Sequence, residues 1–132
     1  MNDETASPAG AVTGSVRTLL RLEGLALLCL SVGAYAWVGE PWWLFAVLLF
    51  APDVSFAGYL GGPRLGSAAY NAAHATIGPA VLFAAGMALP DAFVAALSCI
   101  WAAHVGLDRA IGYGLKYEAG FAFTHLGRIG RR

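Results

Sequence analysis

Charge is scarce in this chain: Asp, Glu, Lys and Arg make up 12% of it, and Lys116 is its only lysine. Residues 1–16 hold no Lys or Arg. A cleavable leader needs a basic start followed by an apolar core, so this opening, with Pro8, Gly10 and Gly14, is expected to be a disordered lead-in. Cysteine is nearly absent. Cys29 and Cys99 sit in apolar runs without paired spacing, which argues against a disulfide or a thiolate metal knuckle and leaves them as small core residues. Basic residues are missing altogether from the stretches around Glu40 and Asp91. No internal repeat is present.

What the chain has in plenty is apolar surface. Of its 132 residues 58% are hydrophobic, and the mean hydropathy is +0.64. Those values fit one small polytopic membrane domain and exclude an ordinary soluble one. Four apolar segments follow the lead-in, at about residues 17–38, 42–60, 65–89 and 92–111. Each approaches the ~20 residues that a helix needs to cross the hydrocarbon. Gly39-Glu40-Pro41, Gly61-Gly62-Pro63 and Pro90-Asp91 separate them as turns, so an all-α bundle of four transmembrane helices is expected over residues 17–111. Residues 112–132, with Tyr, Phe, Lys, Arg and several glycines, are expected to form a cytoplasmic interfacial tail.

The basic residues set an orientation. Arg17 and Arg21 open the first segment, Arg64 lies between the second and third, and Arg109, Lys116, Arg128, Arg131 and Arg132 end or follow the fourth. The positive-inside rule then places both termini in the cytoplasm, in a multi-pass protein of the inner (plasma) membrane.

The ionisable residues within the segments share one layer. At ~1.5 Å of rise per residue, Glu23, Asp53, His74, His104 and Asp108 all fall in the cytoplasmic half. His104 and Asp108 lie four residues apart, on one helix face, with Trp101 a turn before them. Ser67, Asn71, His74 and Gly78 make a polar stripe on the third segment. Pro52 loosens the turn ahead of Asp53 and exposes a carbonyl that Ser55 or another helix must satisfy. Arg21 can reach the interface while Glu23 points inward beside Gly24.

A charge at mid-helix costs on the order of 2.5–3.5 kcal/mol on insertion scales, which favours function for such a layer. His74, His104, Asp53 and Asp108 form a ligand set suited to Zn, Mn or Fe. Glu23, Asp53, His104 and Asp108 are the candidate catalytic acids, bases or ligands. Gly58 to Arg64 could cradle an anion, with Arg64 and Asn71 as the candidate cofactor-binding residues. His125, in Thr124-His125-Leu126-Gly127-Arg128, could fold back over the cytoplasmic mouth.

Several readings stay open. One is a metal-dependent, hydrolase-like membrane enzyme acting on a lipid-soluble substrate. The others are a small proton-coupled transporter and an accessory subunit with a structural polar network. Expected partners are membrane lipid and a further membrane helix, from another copy or another protein, and not nucleic acid.

Several motifs together carry a resemblance. They are Arg21-Leu22-Glu23-Gly24, Ala51-Pro52-Asp53 with Ser55, Tyr70-Asn71 with His74, His104 with Gly106 and Asp108-Arg109, Gly112 to Tyr117, and Thr124 to Gly127. As a set they resemble the bacterial domain of unknown function 4260 family of small integral membrane proteins, from about residue 17 to 128 and with no departure at these positions. The resemblance implies four membrane helices and no known activity. A looser likeness, by analogy alone, is to small membrane-bound metal-dependent hydrolase-like proteins.

Overall fold

A computed structural model of the chain describes residues 10–130. Residues 1–9 of the expected lead-in, and Arg131 and Arg132, lie outside the described residues. Helix α1 spans Gly14–Val38 and ends on Gly39, whose φ of 85° is the left-handed cap that glycine adopts without strain. The next rod begins as α2, Trp42–Leu48, and continues as a 3-10 helix, Ala51–Gly61. The following rod consists of α3, Pro63–His74, and α4, Ile77–Ala88. Helix α5 spans Ala92–Ile111, opened by the Asp91 carboxylate accepting from the Val94 N–H at 3.1 Å. The expected four-helix architecture is therefore present. Helix α1, the rod Trp42–Gly61 and α5 are long and apolar enough to cross a membrane.

Prolines explain why two rods are not continuous α-helices. Pro52 has no N–H, and the Asp53 N–H turns to the Phe50 carbonyl at 3.0 Å, so the segment tightens to 3-10 geometry. Pro79 likewise cannot donate to the carbonyl of Ala75, four residues back. The chain is extended at Ala75 (φ −80°, ψ 152°), directly after His74. The carbonyls released at this break find other donors. Trp101 Nε1 donates to the Ala73 carbonyl at 2.6 Å and Arg109 Nη2 to the His74 carbonyl at 3.3 Å.

Helix α5 is the central element. Its buried residues include Ala95, Ala96, Cys99, Ile100, Ala103, His104 and Val105. It packs antiparallel on α1 and also against α4. The α1–α5 crossing is close because of Gly24 and Gly106: a Cβ at Gly106 would stand 2.6 Å from the Leu28 nitrogen and 2.7 Å from the Gly24 oxygen. At the far end, Tyr35, Leu44, Cys99 and Ile100 form an apolar cluster. The tail is folded rather than splayed. Strands β1 (Phe123–Thr124) and β2 (Gly127–Arg128) form a small hairpin whose Leu126 is fully buried. The Val12 N–H donates to the His125 carbonyl at 2.9 Å, tying the hairpin to the start of α1.

Candidate metal centre

The 3-10 segment, the end of α3 and the middle of α5 deliver four side chains to one point. Asp53, His74, His104 and Asp108 each present a donor atom, and the four atoms lie within 4.8 Å of one another. His74 Nε2 is 3.1 Å from His104 Nε2, 3.2 Å from Asp53 Oδ1 and 3.5 Å from Asp108 Oδ2. His104 Nε2 is 3.2 Å from Asp53 Oδ1 and 3.4 Å from Asp108 Oδ2. Both imidazoles are buried, whereas the Asp53 and Asp108 side chains keep 33% and 14% exposure.

The other ring nitrogen of His74 identifies its tautomer. His74 Nδ1 is 2.8 Å from the Tyr70 carbonyl, which can only accept, so Nδ1 carries the proton and the neutral ring turns its Nε2 lone pair to the centre. His104 Nδ1 is buried and has no hydrogen-bond partner among the described residues. With a neutral His104 protonated on Nδ1 like His74, four acceptor atoms face one another; a proton on His104 Nε2 would instead donate to Asp53 or Asp108, 3.2 and 3.4 Å away.

Five of the six separations are 3.1–3.5 Å, so the four atoms stand at the corners of an irregular tetrahedron whose sixth edge is at most 4.8 Å. The two carboxylates form the remaining edge, and a cavity of about 300 Å³ adjoins it, with Asp53, Asp108, Tyr70 and Lys116 in its wall. These residues fit one divalent ion with an open side.

Other polar residues named from the sequence fall elsewhere. Glu23 is exposed, because Gly24 takes the contact with α5 and turns its neighbour away; it does not join the group. Arg64 is a surface side chain 3.6 Å from Glu118 and is not at the centre. Asn71 faces the tail: its Nδ2 donates to the Lys116 carbonyl at 2.8 Å and its Oδ1 accepts the Lys116 N–H at 2.7 Å. Arg21 donates to the Ala110 carbonyl at 2.9 Å, capping α5, and Ser55 donates to the Pro52 carbonyl at 2.7 Å. His125 packs under the mouth, its Nδ1 accepting the Leu115 N–H at 2.9 Å; burial and the Arg109 charge hold its pKa below the usual imidazole range.

Two residues of the site carried no functional assignment in the sequence reading. Tyr70 stacks on His74 with ring centroids 3.7 Å apart and donates to Asp108 at 3.4 Å. Its signal is its place four residues before His74. Lys116 is 3% exposed, and burial pushes its pKa down to about 8, with Asp108 acting in the opposite direction. Its signal is being the only lysine in the chain.

Fold and site together define a small helical protein of membrane-spanning character with a His₂Asp₂ group that could hold a metal ion. The sequence matches the family described as Domain of unknown function (DUF4260) over residues 17–129, and the chain belongs to that family. No curated protein and no solved structure matches it.

Proposed function

We propose that Asp53, His74, His104 and Asp108 hold one divalent ion, Zn, Mn or Fe, and that the chain is a membrane-embedded metal-dependent enzyme of hydrolase type. The observation that carries this reading is the convergence of two imidazole nitrogens and two carboxylate oxygens within 4.8 Å of one another. With both imidazole protons on Nδ1, two lone pairs and two carboxylate oxygens, five of whose six separations are 3.1–3.5 Å, repel one another unless a cation lies among them. Imidazole with carboxylate is a borderline-hard set that suits these three metals over copper(I). A bound ion of this kind supplies a water of lowered pKa and polarises a carbonyl or phosphoryl oxygen.

The chain's own residues have separable tasks. His74 is aimed by the Tyr70 carbonyl, 2.8 Å from its Nδ1. Tyr70, hydrogen-bonded to Asp108, holds that carboxylate in place. The adjoining cavity includes Phe50 and Ile111, which are 59% and 53% exposed on the flank of the bundle, so a lipid-soluble substrate can enter sideways. The basic residues support an orientation with both termini, the tail and the centre on the cytoplasmic side of a bacterial inner membrane.

The test is elemental analysis of protein purified in dodecyl maltoside and offered Zn, Mn or Fe in turn. One equivalent per chain is expected, with His104→Gln losing it while remaining folded. Wild-type protein that retains no more metal than a His74→Ala/His104→Ala double variant overturns the reading. A proton would then be the cation in the quartet, and the small proton-coupled transporter becomes the better account.

A further inference from the structure

Lys116 has an unusual setting. An ammonium is rarely so buried without a counter-charge, and among the described residues none of the ion pairs involves Lys116. Its Nζ donates to the Phe121 carbonyl at 2.7 Å and lies 3.6 Å from the centroid of the Phe121 ring and 4.7 Å from that of Tyr70. The two-way hydrogen bonds to Asn71 fix its backbone, so the charge is held in position before any ligand arrives.

The cavity beside the quartet is where that charge matters. Its charged lining residues are Asp53, Asp108 and Lys116. Resting on the metal reading, a divalent ion cancels the two carboxylates and leaves the wall with one positive charge. The rest of the lining is largely apolar, with Phe50, Phe56, Leu107 and Ile111 among it. A polar end with one uncompensated cation and an apolar end that opens on the membrane-facing flank call for a ligand built the same way.

We infer that this cavity binds a single-chain amphiphile with a monoanionic headgroup. The headgroup lies between Lys116 and the open edge of the centre, and the chain runs toward Phe50 and Ile111. Lys116 is the residue that selects the charge. At about 300 Å³ the space is at the small end of ligand pockets, which excludes a bulky two-chain lipid from lying wholly within it.

Decyl sulfate is a suitable probe because it stays a monoanion over the working pH range. Its binding to zinc-loaded protein in dodecyl maltoside is measured by calorimetry beside decanol and decyltrimethylammonium, with metal content determined in every sample. Decyl sulfate should bind at least about tenfold more tightly than decanol, the effect of one charge-assisted hydrogen bond. Lys116→Gln should abolish that preference, and Lys116→Arg should keep most of it. Should Lys116→Gln fail to fold, the wild-type preference itself must be lost as rising pH removes the charge of Lys116, whose pKa burial lowers. Equal affinity for decyl sulfate and decanol in metal-loaded wild-type protein overturns the inference and leaves the metal reading standing. Metal-free protein that still prefers decyl sulfate through Lys116 upholds the anion site and shows that it does not depend on the ion.

Discussion

Asp53→Asn separates a metal centre from a structural ion-pair network, because the two give opposite signs in metal-free protein. If the quartet exists to hold the fold together, Asp53 is a partner of His74 and His104 at 3.2 Å, and neutralising it removes a buried pair at a cost of about 3–5 kcal/mol. If the quartet is a vacated ligand set at pH 8, above the ordinary imidazole range, two carboxylates no more than 4.8 Å apart repel each other. With an effective dielectric constant of 20, that repulsion is about 3.5 kcal/mol, and the one-third exposure of Asp53 reduces it to roughly 2 kcal/mol. The amide is nearly isosteric and adds N–H donors that face the two Nε2 lone pairs. Chelator-treated Asp53→Asn protein is therefore expected to be more stable than chelator-treated wild type by about 2 kcal/mol. The measurement is a denaturant titration in mixed micelles, followed by circular dichroism. Saturating zinc should then reverse the order. An ion at about a thousand times its dissociation constant stabilises the native state by ~4 kcal/mol, and the variant lacks a ligand. A metal-free Asp53→Asn protein less stable than wild type by 1 kcal/mol or more would refute the acceptor-quartet reasoning.

Two further outcomes test the frame around the centre. Gly106→Ala drives a Cβ to within 2.6 Å of the α1 backbone, so it should cost about 1–3 kcal/mol in the same titration. Metal stoichiometry should survive, because α1 contributes no ligand; a neutral effect on stability would contradict the α1–α5 contact. A reporter active only outside the cytoplasm should be silent when fused after Arg132 and active when inserted near Glu40, and the reverse pattern would invert the proposed orientation.

The particular elements show what each level of description contributes. Apolar runs of membrane-crossing length, punctuated by Gly and Pro, determined four rods and their turns, because burying ~20 residues in hydrocarbon is a property of a segment by itself. The spacing of His104 and Asp108 determined their common face for the same local reason. Proline effects were half legible. Pro52 marked a loosened turn, whereas the break after His74 follows from Pro79, four residues beyond the carbonyl it displaces.

Tertiary structure decided the rest. Glu23 and His104 lie at similar depth along their helices, and depth along a helix does not fix rotation about its axis. The close approach at Gly24 and Gly106 fixed that rotation, and it turned Glu23 out while His104 turned in. Arg64 and Asn71 sit on or beside the same helix, yet one meets Glu118 at the surface and the other clasps the backbone of Lys116. The folding of the tail against α3 carried Lys116 forty-five positions along the chain from Asn71 to the wall of the cavity. Local sequence determines segments and faces; which faces meet depends on contacts between residues far apart in the chain, and only the packed structure contains those.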